Sequence, residues 1–137
     1  MKKKKGFTLA ELLVVVAIIG VLVAVSIPIF TQQLHKAEVA TDWANVRAYY
    51  SEIQADFIST GKYNPKVKTD WHSNRDYDWH QITFLNGEKV KMKAGSCAVS
   101  PAKNGSGYAI EYTCKNNDKQ CHLSIGEPST PGEPSTP

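Results

Sequence analysis

From Leu12 to Phe30 the chain runs without a single charged side chain, and the stretch is long enough to span the hydrocarbon core of a bilayer. Lys2, Lys3, Lys4 and Lys5 stand before it, and no comparable basic cluster follows it, which places that flank on the cytoplasmic side. Of the 24 residues from Phe7 to Phe30, 19 are hydrophobic. The overall hydrophobic content of 42% and the formal charge of +3 are therefore averages over a basic tip, an apolar rod and a polar body. That distribution excludes a freely soluble cytosolic enzyme, a nucleic-acid binder inferred from net charge, and a large multidomain machine. Hydrophobicity alone favours a plain membrane anchor or a signal peptide cut after Ser26.

Three residues and one pattern argue for more than an anchor. Glu11 puts a carboxylate at the start of the apolar run, where it needs a partner or a function. Pro28 removes a hydrogen bond inside an apolar helix, and Gly20 marks a second weak point. The helical pattern then continues past the membrane-length segment. Val39, Trp43, Val46, Tyr50, Ile53 and Phe57 fall at steps of 4, 3, 4, 3 and 4, a single stripe on a helix. Lys36, Glu38, Asp42, Arg47, Glu52 and Asp56 are expected on its wet side. The spacing predicts a helix from Phe7 to Ser59, about 80 Å long, stopped at Gly61.

The segment Lys5-Gly6-Phe7-Thr8-Leu9-Ala10-Glu11-Leu12-Leu13 closely resembles the processing motif of type IV prepilins and the related pseudopilins. So does Val14-Val15-Val16-Ala17-Ile18-Ile19-Gly20, with Pro28 downstream; Ala10, often Val or Ile in that family, is a mild departure. The resemblance implies a leader, residues 1–6, cut between Gly6 and Phe7 by a prepilin peptidase that also methylates the new Phe7 amine. It implies that Glu11 pairs with the Phe7 amine of a neighbouring subunit and sets the register of assembly. It further implies that Gly20 and Pro28 bracket the stretch that loses helix in assembled filaments. Residues 7–30 would serve lipid before assembly and a filament core after it, with residues 31–59 as the amphipathic half of the helix.

Residues 60–125 are too few for a generous core of their own, so the stripe on the helix is expected to supply half of one. The predicted fold class is α+β, a long N-terminal helix with its C-terminal half packed against a small antiparallel sheet. Ile82 and Phe84 alternate with polar neighbours, Asn86-Gly87 follows, and Val90 and Met92 then alternate with Lys89, Lys91 and Lys93. This is a strong hairpin signal. The lysine face reads as the solvated side of an edge-protected strand, with an anion- or DNA-binding patch as the sharper alternative. In a second pair, Tyr108, Ile110, Tyr112 and Cys114 share one face, as do Cys121, Leu123 and Ile125. One register sets Cys114 opposite Cys121, Tyr112 opposite Leu123 and Ile110 opposite Ile125. Pro101 to Gly107 reads as a loop before that pair.

Three cysteines leave one over. The register favours a Cys114–Cys121 disulfide with Cys97 unpaired or linked between subunits; Cys97–Cys121 and three reduced thiols are the alternatives. No metal site is expected, because Cys121-His122 lacks the spaced ligand pairs of structural zinc. In the loop 70–80, His72, Asp76, Asp78 and His80 are candidate ligands, while Trp71 and Trp79 are candidate contacts for a sugar ring or a neighbouring subunit. Its plainest reading is a connection between helix and sheet. No nucleophile–base arrangement has a supporting scaffold, so neither enzymatic activity nor a cofactor is expected. The tail 126–137 repeats Gly-Glu-Pro-Ser-Thr-Pro and is expected to be extended and mobile. Ser129, Thr130, Ser135 and Thr136 resemble O-glycosylated stalk sequence.

The resulting expectation is a filament subunit, most simply the major pilin of a surface type IV pilus. The alternatives are a pseudopilin of a type II secretion or competence system and a signal-anchored extracellular binding domain. Expected partners are further copies of the chain in a helical filament, the prepilin peptidase, the pilus assembly platform and minor pilins, and the membrane before assembly; nothing specifies nucleic acid. The precursor is expected in the inner or cytoplasmic membrane with its head outside the cytoplasm, and the assembled form at the cell surface. Adhesion, motility and DNA uptake depend on motors and other subunits. Removing residues 1–6 leaves 12 Lys+Arg against 13 Asp+Glu, so the basic balance belongs to the leader.

Overall fold

The computed structural model describes residues 6–69, 79–115 and 121–128. The chain divides into two units, Met1–Lys36 and Ala37–Pro137, and helix α1, Leu9–Thr60, contributes to both. The expected end at Gly61 is met by a left-handed residue (φ 68°) whose N–H donates to the Phe57 carbonyl at 2.7 Å. Glycine suits this cap because the conformation carries no side-chain penalty.

From Leu9 to Leu34 the side chains of α1 are exposed: Leu12, Val14, Ile18, Leu22, Ile27 and Phe30 all stand open. Its apolar window has a mean hydropathy of 3.1 with none of it buried within the chain, and by length and composition it can cross a membrane. Gly20 and Pro28 both lie inside unbroken helix.

The second unit holds the core. Hairpin β1 (Gln81–Thr83) and β2 (Lys89–Lys91) pairs Ile82 with Val90. Its connection, residues 84–88, is closed by Gly87 N–H to the Phe84 carbonyl (2.9 Å) and Phe84 N–H to the Glu88 carbonyl (2.8 Å), with Gly87 at φ 92°. A three-stranded antiparallel sheet is formed by β3 (Gly95–Pro101), β4 (Tyr108–Cys114) and β5 (Leu123–Ile125), with β4 central. β4 pairs with β5 in the anticipated register, Ile110 with Ile125 and Tyr112 with Leu123. The sequence reading did not anticipate β3, which pairs with β4 from Gly95↔Cys114 to Pro101↔Tyr108. The architecture is α+β, as expected.

Val39, Val46, Tyr49 and Ile53 of α1 join Ile82, Cys97, Val99, Tyr108, Ile110 and Tyr112 in one core cluster. Each aliphatic side chain fully withdrawn from water, such as Val46 and Ile53, contributes about 2 kcal/mol. The buried row of the helix therefore runs 39, 42, 46, 49 and 53, while Trp43, Tyr50 and Phe57 pack at its flank. The outward side of the same helical segment is built of small residues, with Ala40, Thr41, Ala44, Ala48, Ser51 and Ala55 exposed.

Asp42 corrects the assignment of the wet side. It is fully buried, and its carboxylate accepts the backbone N–H groups of Lys93 (Oδ1, 2.8 Å) and Ala94 (Oδ2, 2.8 Å) together with the Tyr112 hydroxyl (Oδ2, 2.7 Å). Two other residues expected on the wet side also bind the strands and loops: Glu52 accepts from Leu85 N–H at 3.0 Å, and Asp56 from the Asn64 side-chain amide at 3.0 Å. The helix thus holds the bend after β2 through one carboxylate and the β1–β2 loop through another.

Replacing Asp42 with Ala strands three donors in a dry site and is expected to cost about 3 kcal/mol, read by denaturant unfolding followed by tryptophan fluorescence. Burial raises the phenols of Tyr49 and Tyr112 above the ordinary value of 10.0, and the hydrogen bond to Asp42 raises Tyr112 further. The unfolded chain then loses these protons first, so the stability they support is complete below pH 10.0 and falls as pH rises above it. An unfolding series from pH 8 to 12, with tyrosinate absorbance as the parallel reading, checks this.

Candidate functional site

The candidate site begins immediately before the helix. Gly6, Phe7 and Thr8 have no regular secondary structure, and α1 starts at Leu9. Phe7 is 84% exposed, and no atom lies within 4 Å of where a Cβ on Gly6 would stand. Among the described residues, then, the chain at Gly6 and Phe7 stands in open space ahead of the helix. Lys2 to Lys5 lie outside the described residues.

Thr8 and Glu11 close the helix N-terminus reciprocally. Thr8 N–H donates to Glu11 Oε2 at 3.0 Å, and Glu11 N–H donates to Thr8 Oγ1 at 3.3 Å. This is a capping box: it satisfies two backbone donors that the first turn leaves without partners, and it sets a negative charge at the positive end of the helix dipole. The Thr-x-x-Glu spacing carries the signal in the sequence, and the sequence reading passed over Thr8. A carboxylate has room for further donors after accepting one N–H. The cap therefore fixes Glu11 beside residue 7 without exhausting it.

Further along, Ser26 Oγ donates to the Leu22 carbonyl (2.6 Å) and Thr31 Oγ1 to the Pro28 carbonyl (2.9 Å). These are local hydroxyl bonds to carbonyls of the preceding turn on either side of Pro28. Gly20 has no atom within 4 Å of a would-be Cβ. Gly20 and Pro28 thus lie along one exposed apolar segment and form no shared cluster with Glu11.

In the head, Cys114 and Cys121 are joined in a disulfide with a Cα–Cα distance of 6.0 Å. Cys97 lies outside that bond, buried in β3 opposite Tyr112. Of the loop 70–80, only Trp79 and His80 are described: Trp79 is 42% exposed, and His80 Nδ1 lies 3.2 Å from the Gly95 carbonyl. Trp71, His72, Asp76 and Asp78 lie outside the described residues. At the start of the tail, Pro128 bridges to Ala102, and Lys103 N–H donates to the Glu127 carbonyl at 2.8 Å. Ser129, Thr130, Ser135 and Thr136 lie outside the described residues as well. A non-reduced digest is expected to yield a linked Cys114–Cys121 peptide, with Cys97 alkylated only after denaturation; mass mapping reads both.

Residues 1–27 match the family described as Prokaryotic N-terminal methylation motif. The chain is 29% identical over 122 residues to the type IV major pilin protein PilA of Myxococcus xanthus, covering 85% of this chain and 50% of that one. It is 33% identical over 113 residues to the type IV major pilin protein PilE1 of Neisseria gonorrhoeae, covering 82% and 59%. A type IV major fimbrial protein of Dichelobacter nodosus is 28% identical over 120 residues, covering 82% and 68%. The chain spans about half the length of the first of these relatives. No solved structure matches it.

Proposed function

We propose that this chain, a member of the type IV pilin family by its N-terminal motif and its pilin relatives, is the structural subunit of a type IV pilus, made as a membrane-anchored precursor. The observation that carries the reading is the junction at Phe7. The Gly6–Phe7 bond stands directly before a capped helix whose N-terminal apolar window is left unburied by the described residues. Cutting that bond removes the lysines and leaves a new amine one residue before Thr8. The exposed apolar side chains find lipid in the precursor and neighbouring helices in the filament, so one surface serves both states.

Glu11 supplies the register. Held by Thr8 at the helix start, its carboxylate remains able to accept from the Phe7 amine of an adjacent subunit. Between packed helices that pair is much stronger than at a wet surface, and a subunit out of step leaves a charge alone in an apolar bundle. A head-to-tail contact that does not close then propagates as a helix of subunits. Gly20 and Pro28 are the points where the helix yields when subunits pack, with the nearby hydroxyls of Ser26 and Thr31 ready to serve freed carbonyls. The polymer is structural, with the peptidase, the assembly platform and minor pilins as partners, and the head is displayed at the cell surface.

N-terminal analysis of filament material is expected to give methylated Phe7, and Glu11→Ala is expected to be processed normally yet fail to enter filaments. Sheared surface material examined by electron microscopy supplies the second reading. An N-terminus at Met1 or Ile27, or wild-type filament yield from Glu11→Ala, overturns the account. Short envelope-bound fibres in place of surface pili would assign the chain to a pseudopilin system.

A further inference from the structure

The β1–β2 hairpin has an inward and an outward side. Ile82 is buried and Val90 half-buried beneath it, so the cross-strand pairs Gln81↔Lys91 and Thr83↔Lys89 stand on the other side. Lys89 and Lys91 are exposed, and Lys93, also exposed, follows at the bend after β2. At a rise of about 3.4 Å per residue, the two strand lysines present ammonium groups on stems roughly 7 Å apart. No acidic residue belongs to either cross-strand pair. Trp79, two residues before Gln81 in the chain, has 42% of its surface in solvent.

We propose that this outer face binds an acidic polysaccharide. Its components match the three chemical features of such a chain. The lysines pair with carboxylates repeated along the polymer, the Gln81 amide and Thr83 hydroxyl meet sugar hydroxyls, and the Trp79 indole offers a flat apolar surface to the C–H face of a ring. Nucleic acid fits less well. Among the described residues the face has no arginine for reading guanine, and one aromatic ring stands where single-strand binding uses successive stacking platforms. Outside residues 1–6 the chain has fewer basic than acidic groups, 12 against 13, so attraction of a polyanion depends on this local arrangement. A filament repeats the face along its length and multiplies weak single contacts. The surface itself belongs to one subunit and does not depend on polymerisation.

The test uses the full chain in detergent, titrated calorimetrically with polygalacturonate, neutral dextran and duplex DNA. Polygalacturonate is expected to bind and dextran to give no signal. The Lys89→Gln/Lys91→Gln double variant and Trp79→Ala are each expected to weaken polygalacturonate binding at least about tenfold, while Lys89→Arg/Lys91→Arg retains it. An unchanged far-ultraviolet spectrum and an intact Cys114–Cys121 bond show that each variant has folded. Tighter binding to DNA with no effect of Trp79→Ala overturns the proposal in favour of a phosphate-backbone surface. Binding to neither polyanion overturns it in favour of a simply solvated strand edge.

Discussion

A single buried carboxylate ties the helix to the strands of the head. Asp42 receives two backbone amides and a phenol, and those donors come from the bend after β2 and from the middle of β4. Hydrophobic packing is non-directional and would let a helix slide along a sheet at modest cost. Three hydrogen bonds to one carboxylate do not allow that. Shifting α1 by one residue carries Asp42 away from Lys93, Ala94 and Tyr112 together. Every other contact of the helix with the head, including Glu52 with Leu85 and Gln54 with Ser106 and Tyr108, is read in the register that Asp42 fixes.

The two units solve opposite problems with the same helix. Beyond Ala37, α1 is amphipathic and buries a narrow row under strands, so its polar side chains become anchors. From Leu12 to Phe30 it is apolar and exposed among the described residues, so the polar groups within and beside that stretch are handled locally. Thr8 and Glu11 cap each other, and Ser26 and Thr31 bond to carbonyls in the preceding turn. A segment built this way satisfies its own backbone before it meets lipid or protein, which is the requirement that a hydrocarbon environment imposes.

What was legible in the sequence was whatever a short-range period encodes. The helix and its stop at Gly61, the Asn86-Gly87 turn, and the β4–β5 register with its cysteines opposed all follow from spacings within a few residues. Asp42 was misplaced because periodicity sorts residues by polarity, and a carboxylate buried by partners 51 and 70 residues away carries no local mark. The stripe consequently read as 43 and 50 where the buried row runs through 42 and 49. β3 was missed for a related reason. Gly95-Ser96-Cys97-Ala98-Val99-Ser100-Pro101 is small and weakly alternating, and it becomes a strand by pairing with β4 rather than by its own propensity. The Thr8–Glu11 cap was present in plain spacing, but the stronger apolar signal beside it drew the reading.

The buried row on α1 also has a consequence for the order in which the molecule becomes a protein. The ribosome finishes the helix before any strand exists, so Val39, Val46, Tyr49 and Ile53 wait in water while their covering is still being made. The strands pair almost entirely with their nearest neighbours in sequence, but the hairpins they form have no second layer until the helix lies across them. The Asp42 site can close only once β4 delivers Tyr112 to a carboxylate synthesised 70 residues earlier, and β5 with the Cys114–Cys121 bond follows it in the chain.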